Sequence, residues 1–369
     1  MTQNMQPNQT SGASPILRKR SFLARIFCAA GAVVFAALLV PSVGAQSIAD
    51  LARDQAADRD QRLLAPAKKE GSVTFYTSIP EKDLAVLTAD FEKRYGVKVN
   101  VWRASTQKVV QRIVAEAQAR RFDVDVVDIS SPELEALHRE QLLQEVWSRH
   151  HASLVPGTMP AHREWAPQFL SVFVQAYNTS KVKKEDVPQR YEQLLNAWFK
   201  GALGIEANDQ EWLCGVVKQM GEEKGRKFFR DLVATNGVSV RSGHSLLNNL
   251  VVSGEVPLAL TVYSYMAEQA KQRGAPVEWF AIEPAIGRSN GIAVSRKPAH
   301  PHAALLFYEY MISDAQPLMV KMNYLPATTK VESPVGKLRI AYLDAATMLD
   351  ERDSCQRLWE ETIENHGPR

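Results

Sequence analysis

Three short stretches place hydroxyl groups directly before an expected helix: Thr77-Ser78-Ile79-Pro80, Arg103-Ala104-Ser105-Thr106 and Asp128-Ile129-Ser130-Ser131. A helix N-terminus presents unpaired N–H groups, so hydroxyls there, joined by the Arg103 guanidinium, suit the oxygens of a carboxylate, phosphate or phosphonate. Ser and Thr are also ordinary N-caps that need no ligand. The anion reading gains weight because the three loops are expected to meet at one cleft, where Asp128 would either repel an anion or orient a donor. Further along, Arg241-Ser242-Gly243-His244-Ser245 is a second hydroxyl loop entering a helix. Tyr263 and Tyr265 lie on one face if their strand continues. Phenolate oxygens suit a hard trivalent metal ion, which pulls a phenol below its usual pKa of about 10; packing or plain ligand contact is the commoner role of such a pair. Trp102, Trp212 and Tyr76 are candidates for a stacking wall, with core packing as the alternative. The candidate ligand-binding residues are therefore Thr77, Ser78, Arg103, Ser105, Ser130, Trp212, Ser242, Ser245, Tyr263 and Tyr265, with Tyr263 and Tyr265 as the alternative metal ligands.

Signals for catalysis are poor. The sequence has no His-Glu-x-x-His, no cysteine pair at zinc spacing and no Gly-x-Ser-x-Gly, since Gly243-His244-Ser245 runs on into Leu246-Leu247. The expectation is a binding protein with no cofactor, and not an enzyme.

The elements that must position these loops read as an alternation. A polar, helical leader (Ile48 to Lys69) precedes a strand at Val73 to Tyr76 and a helix whose Leu84, Leu87 and Phe91 share a face. Next come a strand with Val97, Val99 and Val101, a helix with Val109, Val110, Ile113 and Val114, an apolar strand through Val124 to Ile129, and a helix after Ser131-Pro132-Glu133. Strands alternating with helices indicate a parallel sheet covered on both faces. A strand at Phe169 to Ala176 is expected to lead into a second lobe. That lobe would hold strands at Leu203 to Glu206, Val238 to Val240 and Leu258 to Val262, and helices at Trp212 to Met220 and Ser245 to Val252. A short strand at Ile292 to Val294 would return the chain to the first lobe. Helices at Ala303 to Ile312 and Leu338 to Glu364 would pack across the lobes. The expected fold class is α/β: two lobes, each a mostly parallel sheet flanked by helices. Lobe 1 spans 46–160 and 286–330, lobe 2 spans 161–285, and C-terminal helices span 331–369.

The first 45 residues read as a secretory signal peptide. They hold Arg18, Lys19, Arg20 and Arg25, no acid, an apolar run from Ile26 to Val40, and Val43-Gly44-Ala45, with cleavage expected after Ala45. Lys19-Arg20-Ser21-Phe22-Leu23 is close to the twin-arginine export signal, with Lys in place of one Arg. The precursor carries 44 basic and 41 acidic residues. The leader contributes four of the basic ones, so the mature chain carries 40 against 41, a net −1, which gives no electrostatic reason to expect a nucleic acid partner. Cys214 and Cys355 remain, either joined as a disulfide or as two buried thiols.

Several segments together resemble one family. They are Val73-Thr74-Phe75-Tyr76-Thr77-Ser78, Phe91 to Val99, Phe122 to Val127, Ala176-Tyr177-Asn178-Thr179, Ser253 to Leu260, Asn290 to Val294 and Ala299 to Ala304. Their order and spacing are similar to those of the periplasmic type II solute-binding proteins of ABC importers, in the branch of ferric-iron, phosphonate and sugar-phosphate binders. The resemblance implies a two-lobed clamp of the Venus flytrap type in the periplasm, a monomer with a small-molecule ligand and an inner-membrane ABC permease as partners. Iron-binding members place two adjacent tyrosines where this chain has Ser264 and Tyr265, and His or Tyr in the first loop, where Thr77-Ser78-Ile79-Pro80 has neither. That departure favours a small anionic or phosphorylated ligand over ferric ion as the transported solute. A ligand-presenting sensor and a secreted hydrolase are the readings from other classes.

Overall fold

The structure, a computed structural model, describes residues 47–336 and 338–364. The signal peptide with its twin-arginine-like stretch and its expected cleavage after Ala45 lies outside the described residues. No helix among them is long and apolar enough to cross a membrane.

Two short helices, α1 (Ile48–Arg53) and α2 (Arg59–Glu70), open the chain, and α2 ends on Gly71 in the left-handed conformation. Then follow β1 (Ser72–Thr77), α3 (Glu81–Tyr95), β2 (Lys98–Arg103), α4 (Thr106–Gln118), β3 (Val126–Ser130) and α5 (Ser131–Arg139). This is the alternation read from apolar periodicity, with boundaries shifted by one or two residues. Ser130, one residue earlier than expected, is the N-cap of α5, and Pro132 occupies its first turn, where its missing N–H costs nothing.

Strand β4 (Ala166–Asn178) is buried along all 13 residues. After it come β5 (Leu203–Glu206), α6 (Gln210–Met220), α7 (Glu222–Asn236), β6 (Ser239–Arg241), α8 (His244–Ser253), β7 (Leu258–Tyr263), α9 (Ser264–Gln272) and β8 (Val277–Phe280). The chain returns through β9 (Ala285–Val294), a ten-residue strand instead of the short Ile292 to Val294 piece expected. Next is α10 (Pro301–Ile312), buried from Ala303 to Ile312, as its apolar composition on every side requires. Phe307 of α10 packs against Phe75 and Phe91, ring centroids 4.8 Å away in each case. The rest is α11 (Gln316–Lys321), β10 (Leu325–Pro326), β11 (Ile340–Tyr342), α12 (Ala345–Asp350) and α13 (Arg352–Trp359). The C-terminal stretch from Leu338, expected as one helical run, is thus a short strand and two short helices, the second running on into a π-helical segment at Glu360–Glu364. Asp344 breaks the run by capping α12, its side chain accepting from the Thr347 N–H.

The strands form one sheet in the order β2-β1-β3-β9-β4-β7-β5-β6, with β8 and β10 on β4 and β11 on β9. The pairs β1/β2, β1/β3, β5/β6 and β5/β7 are parallel. Strands β4 and β9 run antiparallel to each other, and antiparallel to β7 and β3 respectively. The expectation of mostly parallel sheets is therefore corrected to a mixed sheet with parallel ends. The reason lies in the chain path: β4 carries the chain away from the first parallel set and β9 brings it back, so the two run in opposite directions, and each meets the parallel set beside it antiparallel.

Cys214 of α6 and Cys355 of α13 are joined as a disulfide across a sequence separation of 141. Closing a loop of that length should stabilise the fold by about 5 kcal/mol through chain entropy. Replacing both cysteines by serine should lower the melting temperature by roughly 5–10 °C, and reductant should do the same to the native chain. An unchanged melting curve would show that the two thiols are not joined.

Candidate functional site

Parallel strands put their carboxyl ends on one edge, and the register makes that edge explicit at the β1 end of the sheet. Thr77 lies opposite both Arg103 and Asp128. The loops that leave this edge present Ser78, Arg103, Ser105 and Ser130 to a cleft of about 950 Å³, a volume suited to a small ligand. Ser105 caps α4, its hydroxyl accepting from the Lys108 N–H at 3.5 Å, and the Thr106 and Ser130 hydroxyls lie 3.4 Å apart. Arg103 is exposed. Its guanidinium reaches only two backbone carbonyls, of Ile79 at 3.3 Å and Ser78 at 3.5 Å, and no carboxylate pairs with it among the described residues.

The opposite wall comes from the parallel set β7-β5-β6. Ser242, Ser245, Tyr263 and Tyr265 all line the cleft, as the sequence suggested. The tyrosines do not share a continuing strand as expected: β7 ends at Tyr263 and α9 begins at Ser264, so no strand alternation aligns them. Packing does so instead, with the two rings 5.9 Å apart and nearly parallel, and Tyr265 stacked on Tyr324 at 4.1 Å. Burial raises the pKa of both phenols above the ordinary range.

Two candidates lie outside the lining. Thr77 is fully buried, and its hydroxyl accepts from the Ile79 N–H at 3.0 Å, so it shapes the loop that Ser78 occupies. Trp212 is 1% exposed and packs against Tyr191 and Phe229; its place in the first turn of α6 opens the helix face that is buried in the core. Tyr76 and Trp102 likewise form no wall of the cleft. They pack on each other, with the Arg112 guanidinium 4.5 and 4.4 Å from their ring centroids. Asp128 is fully buried behind the wall with both carboxylate oxygens unpartnered, and burial raises its pKa well above the usual range.

Several lining residues carry no mark in the sequence pattern. Ser171 of β4 donates to Asn290 of β9 at 3.0 Å on the cleft floor. Arg288 of β9 contacts both the Glu211 carboxylate and the Tyr263 hydroxyl, to which it donates. Burial pushes Glu211 up, against the opposing charge of Arg288, to about 7. Burial also works against charge on His244, but the Asp209 carboxylate 3.2 Å away outweighs it and raises the imidazole pKa. Glu206 ends β5 and accepts from the Gly243 N–H at 2.7 Å and the Asn208 N–H at 2.6 Å. Gly243, with φ at +105°, makes the turn that brings this N–H to Glu206. The rule that ligands lie beyond strand carboxyl ends would have found Glu206 to Asp209, because Leu203 to Glu206 was readable as a strand. Arg288 had no comparable signal.

The floor built by two crossing strands, with hydroxyl loops on one wall and a polar, carboxylate-rich second wall, is the architecture of a solute-capturing clamp. The profile of the bacterial extracellular solute-binding protein family matches residues 87–337, and the chain belongs to that family. Solved structures share the fold. Iron-bound HitA of Pseudomonas aeruginosa is 20% identical, with a TM-score of 0.69 over 79% of this chain and 99% of its own. AfuA of Actinobacillus pleuropneumoniae, with exogenous fructose-6-phosphate bound, is 19% identical, with a TM-score of 0.70 over 80% of this chain and 99% of its own. The ferric binding protein of Campylobacter jejuni is 17% identical, with a TM-score of 0.67 over 79% and 99%. AfuA is a periplasmic binding protein, and the present chain shares the α/β fold of all three. No curated protein sequence matches the chain.

Removing one partner of a buried ion pair leaves an uncompensated charge, which costs about 3–5 kcal/mol. Arg288→Ala should therefore reduce the unfolding free energy in urea by that amount. The double variant Arg288→Met, Glu211→Leu should recover most of the loss. Equal losses in both would mean the pair is not what holds this part of the floor.

Proposed function

We propose that the chain is the periplasmic receptor of an ABC importer, which captures a small anionic solute bearing a carboxylate, phosphonate or phosphate group and delivers it to an inner-membrane permease. The observation that carries this reading is the Arg103 guanidinium, exposed in the cleft without a carboxylate partner and flanked by Ser78, Ser105 and the first turn of α4. A cation left unpaired among hydroxyls and a helix N-terminus is suited to anion oxygens, and charge-assisted hydrogen bonds are the strong ones. Residues 46–160 with 286–330 act as one lobe and 161–285 as the other. Ser242, Ser245, Tyr263 and Tyr265 close from the second lobe, water leaves, and the polar contacts strengthen. The solute shifts the clamp toward its closed form only by its greater affinity for that form, and this difference gives a permease something to recognise.

Relatives of the fold carry iron in one structure and a sugar phosphate in another, so the fold leaves the solute open and the site must decide. Tyr263 and Tyr265 lining one cleft favour a ferric ion as the cargo. Against this, the Tyr263 oxygen already accepts from Arg288, and burial holds both phenols above their usual pKa.

The solute released from protein purified from its own periplasm would be identified by native mass spectrometry. Calorimetry with that solute should show Arg103→Ala weakening binding on the order of 10- to 100-fold, the worth of a hydrogen-bonded charge. Unchanged affinity removes Arg103 from the site, and ferric ion as the only bound mass overturns the anion reading.

A further inference from the structure

The second wall of the cleft holds more carboxyl groups than cationic side chains. Glu206, Asp209 and Glu211 face Arg288 and His244, and Arg288 is committed to Glu211. Three carboxylic acids therefore face one guanidinium and one imidazole, and only Glu211 has a guanidinium of its own. Glu206, Asp209 and His244 each offer a donor atom, all within 4.8 Å of one another. The Asp209 Oδ1 to His244 Nε2 distance is 3.2 Å; two donors bound at about 2.0–2.2 Å to one tetrahedral ion stand at roughly that separation.

A second observation points the same way. Asp209 is 1% exposed, and its Oδ2 has no hydrogen-bond partner, nor does His244 Nδ1. Asp209 occupies the N-cap position of α6 without making a capping hydrogen bond, so helix capping does not explain the carboxylate. Glu206 is oriented by Gly243 and Asn208: its Oε1 accepts from the Gly243 N–H and from Asn208 Nδ2, while its Oε2 accepts only from the Asn208 N–H and keeps a lone pair for a further partner.

A competing cluster, Glu135 with His138 and His162, is ruled out by geometry. Its imidazoles stack face to face at 3.6 Å and 8°, so their lone pairs run parallel and do not converge. The guanidiniums of Arg139 and Arg296 take up Glu135 and the neighbouring Glu164.

We propose that Glu206, Asp209 and His244 bind a single divalent transition-metal ion of the zinc class, with its remaining position open to an oxygen of the captured solute. Imidazole with carboxylates is a donor set such ions accept. Only that last contact rests on the cleft being the solute site; the three protein ligands do not.

The test uses the mature chain, stripped with chelator and titrated with Zn²⁺ alone by calorimetry and with Co²⁺ by visible absorption. The expected result is one ion per chain at micromolar affinity or tighter, and a Co²⁺ spectrum of tetrahedral intensity. His244→Ala and Asp209→Asn should each weaken binding on the order of 100-fold, while the double variant His138→Ala, His162→Ala leaves it unchanged. If Asp209→Asn does not fold, His244→Ala alone decides, since its ring is partly exposed. No uptake at about 100 μM Zn²⁺, or uptake that His244→Ala leaves intact, overturns the site. Zinc uptake with no anionic solute found would leave this site standing and sink the anion reading; Arg103-dependent solute binding without zinc uptake would do the reverse.

Discussion

The pairing of β4 with β9 is the constraint on which the rest of the molecule rests. These strands connect the parallel set β2-β1-β3 to the parallel set β7-β5-β6, and their contact runs from Ala166 opposite Ile292 to Val172 opposite Gly287. Backbone hydrogen bonds buried in a sheet have no alternative partner in water, so the register cannot slip without orphaning them. The two strands also form the cleft floor, and that is why Phe169, Ser171, Arg288 and Asn290 come to lie under any solute. Close approach is enforced where the strands pass beneath α5: a Cβ on Gly291 would stand 2.7 Å from Leu134 Cδ1 and 2.9 Å from Trp165. The segment around Asn290-Gly291-Ile292 is therefore dictated by packing, and the side chains it sends into the cleft follow from that.

On this floor stand two walls of opposite electrostatic character. The first is built from loops that end parallel strands and begin helices, so its fixed dipoles are positive, and Arg103 adds a charge with no partner of its own. The second is built by the same topology but carries carboxylates at Glu206, Asp209 and Glu211, each beside a donor or a cation. Burial sets the terms there. Glu211 near 7 and the raised His244 pKa are opposite responses to one situation, in which charges have lost water and depend on each other. A solute held between such walls meets cationic donors on one side and anionic acceptors on the other.

Much of this could be read from the chain. Apolar periodicity located β1 to β3 and the helices between them, and the strand-end rule brought Ser78, Arg103, Ser105 and Ser130 to one cleft. Ser242 and Ser245 were found as hydroxyls at the entry to an expected helix, and Tyr263 and Tyr265 as a pair expected on one face of a continuing strand. What failed has physical causes. Trp212 and Thr77 were chosen by chemistry, but helix phase and strand alternation turn both inward. Arg288 was invisible because a single Arg in a strand of Gly, Ser and Asn has no pattern; only antiparallel pairing with β4 places it opposite Ser171. The disulfide could not be assigned because nothing in the sequence says that α6 and α13 are neighbours.

That neighbourhood bears on how the two walls are held together. The disulfide ties α13 to α6, and the same C-terminal segment reaches the other wall through Arg352 to Glu133 at 2.9 Å and Asp350 to Arg139 at 2.5 Å. The two attachments are unequal. A covalent bond does not part in a thermal fluctuation, whereas ion pairs between partly exposed side chains are worth about 0–1 kcal/mol each. The second attachment is more than its ion pairs, because α12 packs on α5 and its Ala345 is buried in the same apolar cluster as Leu134 and Leu137. The C-terminal segment is thus fixed covalently to one wall and by apolar packing to the other, and any relative movement of the two walls has to work against that packing before the polar groups of the cleft can decide it.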